Sequence, residues 1–150
     1  GSGAPEWRLE GSWNDIADMR EWLISELGWS AGAVCALADR DGSTAQPTHR
    51  NILEGLEWLL SDLGPDLPWR QEDSQVGSCR LFHFCGHGGH DEIYPVDWVI
   101  SGPISSGDIT EIVALHLRRG TTFTCILDCC ESSTLLRTLG YKLTTPPIAG

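Results

Sequence analysis

The sequence predicts an α/β fold, a largely parallel sheet with helices on both faces, built as a single domain over residues 1–150. Three observations carry this. Short apolar runs of strand length alternate with stretches whose apolar residues recur at helical spacing. With 150 residues, 41% of them hydrophobic and 21% charged, the chain has the size and composition of one domain with a real core. The two turns richest in reactive side chains, at His87 and Cys130, each follow a strand-like run, which is where open α/β sheets bind ligands.

The elements follow in order. From Asn14 to Leu27 the apolar residues Ile16, Ala17, Met19, Leu23, Ile24 and Leu27 keep helical spacing, with Ser12 or Asn14 as the expected cap and Gly28 as the stop. Ala33 to Ala38 (AVCALA) reads as a short buried strand, and Asp39 to Pro47 as a loop. Thr48 opens a second helix through Leu63, its stripe formed by Ile52, Leu53, Leu56, Leu59 and Leu60. Gly64 to Gly77 is a polar connection expected to be mobile. Cys79 to Cys85 (CRLFHFC) reads as a buried strand entering the turn Gly86-His87-Gly88-Gly89. Asp91 to Ser101 reads as extended, broken at Pro95, as part of a hairpin. Ser106 to Leu117 is helical in pattern and ends at Arg118-Arg119-Gly120. Thr121 to Leu127 (TTFTCIL) is a β-rich run that ends at Asp128-Cys129-Cys130, and Ser132 to Leu139 reads as a last short helix. Residues 1–8 and 144–150 carry no pattern and are expected to be flexible.

Composition narrows the function classes. A formal net charge of −11 disfavours binding to nucleic acid or to an anionic membrane, whose phosphates attract Lys and Arg; it aids solubility and suits a substrate or partner with basic side chains. Seven tryptophans argue for a packed chain. No secretory leader opens the sequence and no apolar run is long enough to span a bilayer, so a cytoplasmic setting is expected, with the six cysteines reduced. Cys35, Cys79 and Cys125 read as buried core thiols. Gly1-Ser2-Gly3, with no initiating Met, reads as a cut end, and the chain as a fragment.

A thiol attacks a carbonyl carbon as thiolate, so it needs a base or a positive charge beside it. His87, between glycines, has an uncovered imidazole; Cys130 closes a strand, where amides entering a helix would lower a thiol pKa. The amides of Gly88 and Cys130 can together form an oxyanion hole. A His and a Cys alone are weak evidence, for most such residues are a turn histidine and a buried thiol.

The residues as a set say more. Phe82-His83-Phe84-Cys85-Gly86-His87-Gly88-Gly89, then Asp91-Glu92-Ile93-Tyr94-Pro95-Val96-Asp97-Trp98, then Ile126-Leu127-Asp128-Cys129-Cys130-Glu131-Ser132 resemble the metacaspases. Asn14-Asp15-Ile16 with Met19, Gly28-Trp29 and Gln46-Pro47-Thr48 with Asn51-Ile52-Leu53 extend the likeness over roughly residues 9–135. The resemblance implies a caspase-like three-layer sandwich, incomplete because the first core strand and the small subunit are missing. It implies a cysteine endopeptidase cleaving after Arg or Lys, with His87 as base and Cys130 as nucleophile. Asp15 and Asp128 match acids of the specificity pocket; Cys85 falls where that family has a serine, and Ser12 where it has a cysteine.

The departures are equally definite. The acidic insertion after the His turn is reduced to His90, and the family's calcium-site positions read Ser105-Ser106-Gly107-Asp108 and Arg137, so no calcium and no other cofactor is expected. Glu131 replaces a histidine beside the nucleophile, where an acid raises a thiol pKa, and Ser133 replaces a glycine. These changes support the alternative of a catalytically inactive caspase-fold pseudoenzyme serving as an interaction module. A metal site from Cys79, His83, Cys85, His87 and His90 is disfavoured, since successive ligands on one strand rarely close a tetrahedron. A sheet edge left uncovered by the missing strands invites self-association or a partner.

Overall fold

The computed structural model describes residues 9, 11–40, 45–61, 79–118 and 120–130. The expectations for residues 1–8, the connection 64–77, the helix 132–139, the tail 144–150 and the positions Glu131, Ser133 and Arg137 lie outside them. In chain order the elements are α1 (Ser12–Ser25), a 3-10 turn (Ala31–Ala33), α2 (His49–Leu60), β1 (Cys79–Cys85), β2 (Gly88–Gly89), β3 (Glu92–Ile93), α3 (Trp98–Ser101), β4 (Ile104–Ser105), α4 (Ser106–His116) and β5 (Thr122–Asp128).

The centre is a parallel pair. β1 and β5, seven residues each, run in register from Cys79 opposite Thr122 to Cys85 opposite Asp128. Parallel neighbours need a long crossover, and α4 supplies it. A small antiparallel sheet in the order β2-β3-β4 sits beside the carboxyl end of β1. Because side chains alternate along a strand, paired residues share a face. Phe82, Phe84, Phe123 and Leu127 pack on a buried cluster made by Ile52, Leu56 and Leu60 of α2, Ile109, Ile112 and Val113 of α4, and Ile93 and Ile104 of the small sheet. Leu56 is only 1% exposed, and burying such a side chain stabilises by about 1.5–3 kcal/mol. The opposite face carries Leu81, His83, Cys85, Thr124, Ile126 and Asp128, and α1 lies over part of it.

Capping sets the helix ends. Thr48 does cap α2, its hydroxyl accepting from Asn51 N at 3.2 Å, and the helix stops at Leu60 rather than Leu63. Ser105 caps α4 in a reciprocal box: its Oγ accepts from Asp108 N at 3.2 Å while Asp108 Oδ2 accepts from Ser105 N at 2.8 Å. The expected Ser12 or Asn14 cap of α1 is overturned, since both lie inside the helix and Gly11 is the cap. Asp15 instead places negative charge in the first turn, where the helix dipole favours it. α1 ends at Ser25, two residues short of the expected Leu27, and Gly28, at φ +69°, then turns the chain so that Trp29 N–H closes on Leu23 O at 3.0 Å.

Two other expectations are corrected. Ala33 to Ala38 is not a buried strand: after the 3-10 turn Val34 is extended, but no described strand pairs with the segment, and Cys35 and Ala36 are exposed. Val34 and Leu37 help wall an open cavity of ≈ 950 Å³ together with Ile16, Leu23, Phe84 and Trp58, and without a ladder partner extended backbone is not sheet. Cys79, at the start of β1, is exposed as well, so of the three thiols expected in the core only Cys125 is well covered; burial pushes its thiol up to about 12. Asp91 to Ser101 is extended only at its start. It forms the β2–β3 hairpin, but Trp98–Ser101 is a helical turn held by Asp97, whose carboxylate accepts from Ser101 Oγ at 2.7 Å.

Candidate active site

The parallel register decides where the reactive turns go. Beyond the last pair, Cys85 with Asp128, Gly86 N donates to Asp128 O at 3.2 Å, so the two chains leave the sheet together. The His87 turn and the Cys129-Cys130 turn therefore sit side by side at one rim. They touch: a Cβ added to Gly88 would lie 2.8 Å from Cys129 Sγ and 3.0 Å from the Cys130 carbonyl oxygen. Only glycine fits this approach of backbone to backbone. A Cβ on Gly89 would stand 2.5 Å from the Tyr94 hydroxyl, so a side chain there would have to displace the Tyr94 ring.

The hairpin also aims an amide. Tyr94 N donates to His87 O at 3.0 Å, and in an antiparallel ladder hydrogen-bonded pairs alternate with unbonded ones. Gly88, opposite Ile93, falls in an unbonded pair, so its N–H is directed away from β3. His87 is half-buried and Cys130 is exposed. Cys129 points the other way, packed against the core cluster, and burial together with its neighbour Cys130 pushes its thiol up.

The four residues expected in a pocket also converge. Cys85 Sγ lies 3.3 Å from Asp15 Oδ2 and 3.9 Å from Asp128 Oδ2, bringing the first turn of α1 and the ends of β1 and β5 to one point. The Ser12 hydroxyl lies beside the same sulfur. Burial, then the hydrogen bond to Asp15, push the Cys85 thiol up to about 11, so it is held as a protonated donor. Among the described residues the ion pairs are Arg50 with Glu54 and His90 with Asp91, so neither the Asp15 nor the Asp128 carboxylate meets a described cation.

From sequence His83 is one residue of the strand motif and a disfavoured metal ligand, with no site role of its own. It stands two residues before Cys85 on the same face; burial pushes its imidazole down, against the pull of Asp128 and Asp15. The alternation of odd-numbered residues along CRLFHFC is the signal that places it there. In the sequence Asp97 is only one residue of the Pro95-Val96-Asp97 segment. Its carboxylate accepts from His49 N at 2.7 Å and Val96 N donates to Pro47 O at 3.1 Å, so the segment clamps the entrance of α2 against the hairpin. Burial opposes the charge on Asp97, but the bonds from His49 and Ser101 outweigh it and hold the carboxyl below its ordinary range. Asp108 is engaged in its capping box, and the Ser105 hydroxyl holds it low against burial.

A family profile described as metacaspase, peptidase C14 domain, matches residues 2–139. Metacaspase-1A of Aspergillus terreus is 32% identical over 143 aligned residues, covering 86% of this chain and 33% of that protein. Metacaspase-1 of Scheffersomyces stipitis is 31% identical over 148 residues, covering 89% and 34%, and Metacaspase-1 of Saccharomyces cerevisiae 29% identical over 155, covering 94% and 33%. The chain thus spans about one third of the length of the curated relatives it matches. Two parallel strands that deliver a His-Gly-Gly turn and a Cys-Cys turn to one rim are the residues this likeness runs through, and the chain belongs to the metacaspase family of peptidase C14 domains.

Proposed function

We propose that this chain carries the catalytic dyad of a cysteine endopeptidase that cleaves after Arg or Lys. One observation carries the reading: the β1–β5 register brings the His87 and Cys130 turns together at the carboxyl end of the sheet, with Gly88 pressed on Cys129 and Cys130. His87 takes the proton of Cys130, and the thiolate attacks the scissile carbonyl carbon. The oxyanion that forms is met by the amides of Gly88 and Cys130. The carbon–nitrogen bond then breaks, the leaving amine takes the proton from His87, and water hydrolyses the thioester with His87 as base, returning the thiol.

Asp15 and Asp128, with Cys85 and Ser12 between them, supply the specificity. Two carboxylates converging with no cation among the described residues favour a guanidinium or ammonium group through charge-assisted hydrogen bonds. Among the described residues β1 pairs with β5 alone, which supports the accompanying reading that the working protein covers its other edge by association.

The test is covalent labelling of the folded full-length protein by a peptidyl-arginine electrophile. The expected result is labelling at Cys130 that vanishes in Cys130→Ala and His87→Ala and is outpaced by no acidic-residue probe. Absence of labelling in folded protein, or equal labelling of Cys130→Ala, overturns the proposal in favour of an interaction module.

A further inference from the structure

The Asp15–Cys85–Asp128 cluster has a second chemical capacity. It joins a sulfur to two carboxylates, each from a different element: the first turn of α1, the end of β1 and the end of β5. Candidate donor atoms of the three all lie within 4.8 Å of one another. This differs from a row of ligands on one strand, which cannot surround an ion. Zinc binds thiolate at about 2.3 Å and carboxylate oxygen at about 2.0–2.2 Å, so a tetrahedral site has sulfur–oxygen edges near 3.6 Å. The two edges here, 3.3 and 3.9 Å, straddle that value before any adjustment. Asp15 and Asp128 are exposed, which gives an ion a path in from solvent and leaves the fourth position open to water.

We infer that Cys85, Asp15 and Asp128 form a site for a soft divalent cation of the zinc class. On binding, the sulfur–metal bond replaces the sulfur–hydrogen bond, and the Cys85 proton leaves to solvent. The ion also relieves the repulsion between two carboxylates that no described side chain neutralises. Because it occupies the point where a basic side chain would sit, metal and substrate exclude each other. That consequence rests on the proposed Arg/Lys specificity; the metal binding does not.

The experiment titrates the full-length protein with cobalt(II), the spectroscopic stand-in for zinc, in the absence of substrate. Expected is a thiolate-to-cobalt charge-transfer band that zinc displaces, present in wild type and in Cys130→Ala and absent in Cys85→Ser. Asp15→Asn, on an exposed helix face, weakens cobalt binding by at least about tenfold, and decides the matter if Cys85→Ser fails to fold by circular dichroism. No band, a band that survives in Cys85→Ser, or a band lost in Cys130→Ala overturns the site; the last places the metal on the Cys130 side of the rim. The readout needs no peptidase activity, so failure of the functional proposal leaves it interpretable.

Discussion

The two faces of the central strand pair do different work. Towards α2 and α4, Phe82, Phe84, Phe123 and Leu127 meet an all-aliphatic cluster, and the described residues there include no buried charged side chain. Towards α1, the same strands present His83, Cys85, Thr124 and Asp128, half-buried or exposed, and α1 itself buries only Leu23. The first face supplies stability, because apolar area removed from water scales with what is packed there. The second keeps polar groups wet enough to bind and react. A seven-residue strand thus serves both ends through its period of two.

The largest effect that can break this comparison is a pair of truncations. Leu56→Ala should cost about 2–5 kcal/mol in urea unfolding, by lost burial and the cavity left behind. Thr124→Ala, across the sheet, should change stability by no more than about 0.5 kcal/mol. Equal losses would mean that the α1 face carries the fold as well.

A smaller effect sharpens the view of the rim. Gly88→Ala forces a methyl into Cys129 and the Cys130 carbonyl and should cost about 1–3 kcal/mol, with Cys130 labelling falling alongside. Gly55→Ala, inside α2 with nothing within 4 Å of the added carbon, should instead stabilise by about 0.4–1 kcal/mol. Melting curves of the two variants should move in opposite directions.

The smallest effect concerns pH. Asp97 is held below its ordinary carboxylate range, so the folded chain binds its proton less readily than the unfolded one. Its contribution is then present above the unfolded value, about 3.9, and is lost as pH falls through and below it. Asp97→Asn keeps an acceptor for His49 N but removes the charge, so its denaturation midpoint should fall less steeply than wild type's between pH 5 and 3. A parallel decline in both would assign the acid limb to other carboxylates.

Much of the site was legible because it is written locally. Gly86-His87-Gly88-Gly89 and Asp128-Cys129-Cys130 announce strand ends by composition, and β1 begins and ends where CRLFHFC does. Ala33 to Ala38 misled because an apolar run specifies what a strand would bury, not whether a neighbouring backbone is there to pair with it. The α1 cap misled for a related reason: Ser12 is drawn towards the sulfur of Cys85, a contact made across more than seventy positions of sequence.

By itself, then, the sequence determined the alternation of helices and strands, the turn at Gly28 that follows α1, the cap Thr48, and the two turns that hold the reactive groups. These depend on interactions within a few residues, which composition and spacing encode directly. Only the tertiary structure decided that Cys85 would meet Asp15 and Asp128, that Asp97 would clamp His49, and that Gly88 would press on Cys129 and Cys130. The Gly88 contact and the meeting of Cys85 with Asp128 follow from the parallel register, those of Asp15 and His49 from how α1 and α2 dock; both are settled by which faces are buried against which elements, a property no local stretch of chain possesses.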